Sequence, residues 1–416
     1  MKSEKLNKEI KMNIGDKKIA FAIIFQFCIL ITNYAVKSVF QVNDPIIRFY
    51  ISLFFMLIVG ILYLKNIGIV LSRIGLTFMY IYIFFGLIFL ISSLAFPENN
   101  IYLIEAAFWL FLICLPTAIY YLAINDKAIF LDMLLLSGNF QMILGFIIFV
   151  SMVISQTTYD MVFSYLFLVP IIIITYKMFF IKFKIIDLIS IILGIIAILL
   201  YGARGPLLAY IIFIMLLVLN YFLKSKIKPK DLIIIMIAQT SILLLAINVN
   251  LLLNNINKLL LQFGLHSRTL YLLMSENIDF STGRSGIYEM TLERIFKKPI
   301  FGYGITGDRL FLNGAYPHNI FLELLAQFGI VFGGIIIIIF VIIWIKGVFV
   351  NKNITENHLG IIFAGIGLIT LFYSDSYLTV SNFWLFMAIC FSTVHKNEKI
   401  YQNNFTEKPL SIKGKY

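Results

Sequence analysis

Apolar runs of about twenty residues recur along the whole chain, and twenty residues is the length that an α-helix needs to cross a bilayer. Of the 416 residues, 61% are hydrophobic and 13% are charged, and the mean hydropathy is +0.96. A soluble protein of this length would need more polar surface to cover its core. The short alternating segments typical of a membrane β-barrel do not occur in the sequence. The sequence therefore predicts an all-α polytopic membrane protein.

The lengths of the apolar runs predict about twelve transmembrane helices. The predicted spans lie near residues 19–36, 46–64, 74–95, 101–124, 129–154, 161–180, 185–201, 205–223, 231–253, 318–345, 359–377 and 382–394. The first apolar run is long enough to span, so no cleaved signal peptide is expected. The predicted organisation is an N-terminal segment 1–18, a bundle of nine spans 19–253, a large extracytoplasmic loop 254–317, spans ten to twelve 318–394 and a tail 395–416.

The distribution of basic residues predicts that both termini are cytoplasmic, because Lys and Arg concentrate in cytoplasmic loops. Lysines cluster before span one and after spans six and eight, whereas the short outer loops 97–100, 156–160 and 374–382 contain no Lys or Arg. The net charge of +12 is thus assigned to topology and not to binding of nucleic acid. Cys28, Cys114 and Cys390 lie within apolar runs, so neither a disulfide framework nor a metal cluster is expected.

Arg204 lies in YGARGPLLAY, between two predicted spans at the outer face, where it is almost the only cation expected in the short outer loops. Pro206 suits the first turn of the following helix. A guanidinium near a helix N-terminus can bind a phosphate through two parallel hydrogen bonds. The alternative is an arginine that reaches the lipid headgroups.

Arg284 opens a predicted amphipathic helix, Thr282 to Lys298, in the large outer loop. Ser281 or Thr282 is the expected cap, and Pro299 ends the helix. KPIFGYGITGD follows, a glycine-rich stretch where the backbone can approach a ligand closely. The alternative for Arg284 is a solvated loop charge.

His318 precedes span ten at the outer face. Its reference pKa of about 6.5 suits a general base that takes a proton from a sugar hydroxyl. The helix N-terminus disfavours the protonated ring. Glu323 is rotated about 140° from His318 round the helix, so we expect Asn319 and Glu323 to support the site, with Glu323 orienting Asn319 or pairing with a loop arginine. The alternative for His318 is an interfacial histidine bonded to the loop.

Other polar residues carry weaker signals. Arg268 and Arg309 are loop arginines, and Glu105, Asp132 and Asp375 are isolated acids for which a structural role is expected. The sequence has no pattern that predicts a metal site, and GYGITGD is not a nucleotide-binding fingerprint because no strand precedes it.

Three segments together resemble the Wzy-type polysaccharide polymerase and O-antigen ligase superfamily. They are ARGPLLA at 203–209, GRSGIYEMTLERIFKKPIFGYG at 283–304 and HNIFLELLAQFGIVFGG at 318–334. Their order, spacing and predicted side of the membrane carry the resemblance, which covers roughly residues 200–345.

The resemblance implies a glycosyltransferase in a bacterial inner or plasma membrane that uses undecaprenyl-pyrophosphate-linked oligosaccharide and neither metal nor cofactor. Arg204 and Arg284 would bind the donor pyrophosphate, and His318 would activate the acceptor hydroxyl. A flippase and a chain-length regulator would be partners.

We expect a repeat-unit polymerase for capsule, exopolysaccharide or O-antigen. The alternatives are a ligase of the same superfamily and a flippase or transporter of lipid-linked oligosaccharide. A transporter would place cations along a central cavity, whereas here they gather at the outer face.

Overall fold

The computed structural model describes residues 2–157, 159–224, 284–351 and 353–392, with single positions or pairs of positions between 254 and 274. These residues form helices joined by short turns, without a β-strand among them. The helices are α1 Lys2–Val39, α2 Pro45–Ile74, α3 Leu76–Ala95, α4 Pro97–Leu122, α5 Lys127–Ile154, α6 Met161–Phe180, α7 Ile185–Tyr201, α8 Arg204–Lys224, α9 Ser285–Lys297, α10 Gly307–Phe311, α11 Ile320–Val350, α12 Ile354–Phe372 and α13 Ser381–Ser392.

Within the described residues, nine helices are long and apolar enough to cross a membrane, and α7 and α13 are shorter apolar helices. The predicted fold class, an all-α polytopic membrane protein, is confirmed. Each predicted span except the ninth coincides with one of these helices. The ninth, 231–253, lies outside the described residues, as does most of the predicted loop before Arg284.

Helix α2 is longer than its predicted span, because the helix continues through polar residues. Helix α2 continues past the predicted end at 64 to Ile74, so Arg73 lies in its last turn. There Arg73 forms an ion pair with the buried Asp16 of α1. Asp16 also accepts hydrogen bonds from the backbone of Asn125 and Asp126, at 3.0 and 3.1 Å. This polar contact ties α1, α2 and the α4–α5 turn together at one end of the bundle.

Helices α4 and α12 contain turns that depart from regular α-helical geometry. In α4 a wider π-helical turn, Leu110–Cys114, precedes Pro116. Proline lacks the N–H that a regular helix needs and commonly accompanies such irregularities. In α12 a π-helical turn, Ala364–Leu368, is followed by the tighter turn Ile369–Phe372. This irregular end leads into the α12–α13 connection, residues 373–380.

The packing of the helices is uneven. Most residues in the apolar parts of α6 and α12 are buried. In the most apolar part of α2 only 6% of the residues are buried, and the helix exposes large side chains along its length. A buried helix core contacts other helices, and an exposed apolar face is what lipid covers. The bundle therefore has α6 and α12 near its centre and α2 at its lipid-facing edge.

One end of the bundle, which we call the upper end, is where α1, α5 and α7 finish and α2, α6 and α8 begin. Hydrogen bonds join these helix ends directly. The hydroxyl groups of Ser38 and Ser151 are 3.3 Å apart, and the amide of Asp160 donates to the carbonyl of Tyr201 at 2.7 Å. The residues singled out from the sequence belong to this end.

Candidate functional site

The three residues predicted to carry chemistry stand at the beginnings of three helices. Arg204 is the first residue of α8, Arg284 immediately precedes α9, and His318 lies two residues before α11. Unpaired backbone N–H groups give a helix start a positive potential that favours anions. Three such helix starts, two of them with a guanidinium, suit a negatively charged ligand.

Arg284 and His318 bind the same turn, the beginning of the α12–α13 connection. The Arg284 guanidinium donates to the carbonyl of Tyr373, and His318 Nδ1 lies 2.5 Å from the carbonyl oxygen of Ser374. These are successive backbone carbonyls. The structure thus brings the two residues together around one turn, although they are far apart in the sequence.

The contact with Ser374 fixes the chemical form of the His318 ring. A carbonyl oxygen can only accept a hydrogen bond, so Nδ1 carries the hydrogen and the neutral ring keeps its lone pair on Nε2. Burial lowers the pKa of His318, the hydrogen bond to Ser374 opposes this effect, and the charge of Arg284 lowers the pKa further. The result is a neutral imidazole at neutral pH, with Nε2 as the basic atom.

The backbone around His318 also has a defined geometry. His318 adopts a left-handed conformation, φ 54°, and the side chain of Asn319 accepts hydrogen bonds from the amides of Phe321 and Leu322 at 3.0 and 3.2 Å. Asn319 is therefore the N-cap of α11. Its role in supporting the site remains a prediction, but its cap fixes where the helix begins after His318.

Tyr316 is a contact residue that the sequence analysis did not select. Its ring lies 4.2 Å from the His318 ring, centroid to centroid, and its hydroxyl donates to the Ser374 carbonyl at 3.0 Å. His318 and Tyr316 therefore share one acceptor and pack against each other. In the sequence, Tyr316 lies two residues before His318, which is a possible signal for a contact between them. The carbonyl that both side chains bind lies far away in the chain.

Arg204 is half-buried and reaches the same region through its neighbour Gly205. A Cβ atom built on Gly205 would lie 2.3 Å from the Tyr165 hydroxyl oxygen and 3.5 Å from the Tyr373 ring. The first turn of α8 therefore packs against the residue whose carbonyl binds Arg284. Small residues are required at this contact, which explains the Arg-Gly pair in physical terms.

A fully buried polar network lies beneath the turn. Arg309, next to Asp308 in α10, is 3.4 Å from Glu323 and donates to the Ser376 hydroxyl at 2.9 Å. Ser376 donates to Glu323 at 2.5 Å, and Gln327 donates to Asp308 at 2.8 Å. Glu323 thus pairs with a loop arginine and not with the side chain of Asn319. The network connects α10, α11 and the α12–α13 connection.

The glycine-rich stretch before α10 contacts protein backbone. Helix α11 is interrupted at Gly329, φ 77° and ψ 174°, within the span that the sequence predicts at 318–345. The amide of Tyr303 donates to Ala326 at 2.9 Å, and the amide of Ile330 donates to Pro299 at 2.6 Å. A Cβ atom on Gly302 would lie 2.5 Å from the Gln327 carbonyl oxygen. The segment therefore supplies hydrogen bonds for the interrupted helix.

A cavity of about 220 Å³ adjoins the turn. Its walls are mostly apolar side chains of α1, α6 and α12, and Ser374 and Asp375 supply polar groups. Burial raises the pKa of Asp375 to about 6, against the lowering effects of a hydrogen bond with Thr370 and of the Arg284 charge. Asp375 thus lies beside the candidate site, although only a structural role is expected for it from the sequence.

The described residues contain no group of three or more His, Cys, Asp or Glu side chains that could hold a metal ion. The ionisable groups near the turn are the guanidinium of Arg284, the imidazole of His318 and the carboxyl of Asp375. Such a set can bind an anion and accept a proton from a hydroxyl.

Comparison with known proteins adds one finding. Residues 189–338 match the family model described as O-antigen ligase, and this range contains Arg204, Arg284 and His318. No curated protein matches the chain. The match confirms the resemblance stated from the sequence, and it supports a glycosyl-transfer function of the O-antigen ligase or polymerase type.

Proposed function

We propose that the chain polymerises lipid-linked oligosaccharide repeat units. It would transfer the glycan of one undecaprenyl-pyrophosphate carrier to the terminal sugar of a second lipid-linked repeat, at the outer face of a bacterial cell membrane. The observation that carries the proposal is the convergence of Arg284 and His318 on successive carbonyls of one turn.

The proposed reaction requires a base for the acceptor. The acceptor hydroxyl oxygen forms a bond to the anomeric carbon of the donor sugar, and its proton passes to His318 Nε2. The bond between that carbon and the pyrophosphate oxygen breaks, and the pyrophosphate leaves on its lipid. The neutral ring with its lone pair on Nε2 supports this assignment.

The reaction also requires positive charge where the leaving pyrophosphate develops negative charge. Arg284 donates one hydrogen bond to a neutral carbonyl, which holds the side chain without neutralising it. Arg204 is the first residue of α8, and the residue after it, Gly205, packs on Tyr373. We propose that these two guanidinium groups, without a metal ion, bind the pyrophosphate.

The test reconstitutes purified protein in liposomes with lipid-pyrophosphate repeat units and separates the products on a gel. A ladder of lengths supports polymerase activity. A single addition to a different acceptor supports the second candidate, an O-antigen-type ligase, which the description of the matched family favours. Absence of any glycosyl transfer by folded protein contradicts both.

Site variants assign the roles. His318→Ala should abolish transfer. His358→Ala is the matched control, because His358 pairs with Tyr176 at the other end of the bundle from the site, near the end of α6 and the start of α12. Arg204→Lys and Arg284→Lys keep the charge but lose the planar fork, so donor binding should weaken. Wild-type transfer by His318→Ala would refute the general-base role, and wild-type donor binding by both lysine variants would refute the pyrophosphate role.

A further inference from the structure

A second pair of cations lies at the upper end, on the lipid-facing edge of the bundle. Lys37 is in the last turn of α1, and Arg48 is in the first turn of α2. Arg204 is therefore not the sole cation at the upper end among the described residues. We call Lys37 and Arg48 the edge pair.

The edge pair lacks a carboxylate partner within 4.0 Å among the described residues. Lys37 donates to the Ser52 hydroxyl at 2.5 Å, and the charge of Arg48 acts unfavourably on that of Lys37. The nearby carboxylate of Asp44 accepts hydrogen bonds from the amides of Ile46 and Ile47 as the cap of α2. Two cations that repel each other and have no carboxylate within ion-pair distance among the described residues would be stabilised by a bound anion.

The surroundings indicate that the anion belongs to a lipid. Near Arg48, α2 exposes large apolar side chains around much of its circumference, and Phe49, Phe54 and Leu57 are each about 60% exposed. A lipid chain lying against α2 would place its polar head at the upper end, at the level of the edge pair. Arginine and lysine at such an interface are suited to phosphate groups.

The edge pair is joined to the Arg204 region by a chain of hydrogen bonds. Tyr34, one turn before Lys37, donates to the Asp160 carboxylate, and the Asp160 amide donates to the Tyr201 carbonyl at 2.7 Å. Tyr201 ends α7, three residues before Arg204. The edge pair and the candidate site therefore share one rigid face of the bundle.

We propose that Lys37 and Arg48 bind the pyrophosphate of a second lipid carrier, the one that holds the acceptor glycan. This inference rests on the proposed function, because a polymerase uses two lipid-linked substrates and a ligase with a different acceptor uses one. The edge pair would hold the acceptor carrier while Arg204 and Arg284 hold the donor carrier.

The test measures how many molecules of undecaprenyl pyrophosphate bind to the full chain in phosphatidylcholine nanodiscs, by native mass spectrometry. Wild-type protein should bind two. The Lys37→Gln/Arg48→Gln variant and the Arg204→Gln/Arg284→Gln variant should each bind one. The matched control, Lys182→Gln/Lys184→Gln, removes two exposed lysines between α6 and α7, at the other end of the bundle, and should still bind two.

Two further arms separate the possible causes. Arg48→Gln alone, at an exposed residue, should weaken the second binding event by about tenfold, the effect of one lost charge-assisted contact. Phosphatidylglycerol, added to the nanodiscs in excess, should leave two bound. Complete displacement of the second molecule would mean that the edge pair binds ordinary lipid headgroups, and it would overturn the proposal.

The two proposals fail in different ways. Retention of two bound molecules by Lys37→Gln/Arg48→Gln overturns the edge site. Retention of two by Arg204→Gln/Arg284→Gln, with loss of one in the edge variant, overturns the donor site of the proposed function and leaves the edge site standing. In the transfer assay, the edge variant should raise KM for the lipid-linked acceptor about tenfold while KM for the donor stays unchanged.

Discussion

Replacement of Arg309 by methionine should destabilise the protein strongly, because Arg309 is the cation of the buried network. Asp308 and Glu323 are both fully buried, and Arg309 lies 3.4 Å from each of them. Methionine keeps much of the side-chain volume but leaves two carboxyl groups without their cation. The change therefore isolates the charge from the packing.

The expected magnitude follows from the depth and geometry of the contacts. Breaking a buried ion pair by removing one partner costs about 3–5 kcal/mol. Distances of 3.4 Å are longer than the best charge-assisted hydrogen bonds, about 2.7–2.9 Å. Only the bond from Arg309 to Ser376, at 2.9 Å, is short. We therefore expect a loss of about 3 kcal/mol, at the lower end of the range.

The assay is equilibrium unfolding in bicelles, supported by thermal unfolding, with Lys297→Met as control. Lys297 forms an ion pair with Glu293 at 2.5 Å, but both side chains are mostly exposed, so its loss should have no measurable effect. A loss of stability for Arg309→Met no larger than that of the control would refute the argument that the buried charge matters.

The loss of stability caused by Arg309→Met, which we call the deficit, should also depend on pH. Burial raises the pKa of Asp308, while Arg309 and the hydrogen bond from Gln327 oppose this effect. A carboxyl group with a raised folded-state pKa favours the folded state when protonated, and this contribution is lost as pH rises through that pKa. The deficit of Arg309→Met should therefore narrow as pH falls toward the ordinary Asp pKa of about 4. A deficit that widens on acidification would contradict the assignment.

Three further changes test the turn and the interrupted helix. Gly329→Ala should destabilise the protein by about 2–4 kcal/mol, because its Cβ would lie 2.5 Å from the Ile300 carbonyl oxygen at φ 77°. The control, Gly334→Ala at an open helical position, should be neutral or slightly stabilising in the same unfolding assay. Tyr316→Phe, which removes the hydroxyl and keeps the ring, should lower the transfer rate severalfold without changing the KM of the donor, and an unchanged rate would exclude a role for that hydroxyl. The pKa of His318 lies below its ordinary value, so the rate should fall only as pH drops below about 6.5, and a fall that begins well above pH 7 would contradict a neutral base.

The helices of this protein could be predicted from hydropathy, because a membrane span is specified by local composition. Apolar runs located each described span to within a few residues, with α2 as the main exception. The interruption of α11 could not be predicted in this way. Gly329 lies in an apolar run like any other helical glycine, and its positive φ depends on Pro299 and Ile300, which are distant in sequence.

The candidate residues could be selected from local signals, but their partners could not. A histidine or arginine beside a helix start is visible in a sequence, which is how Arg284 and His318 were chosen. The carbonyls that they bind are 89 and 56 residues away, and any residue supplies a carbonyl. Arg309 carries only a weak signal in the sequence for the same reason, since its partner Ser376 is 67 residues away.

The choice of partners has a chemical consequence for the site. A carboxylate beside His318 would raise the pKa of the ring and keep it protonated, and a carboxylate bound to Arg284 would neutralise the charge that a pyrophosphate needs. The atoms of the turn that bind Arg284 and His318 are instead neutral carbonyls, which orient both side chains without forming an ion pair. Asp308 and Glu323 lie beneath the turn and are paired with Arg309. Asp308 and Glu323 thus form their ion pairs with Arg309 and not with Arg284 or His318, which suits the proposed roles of Arg284 in anion binding and of His318 in proton acceptance.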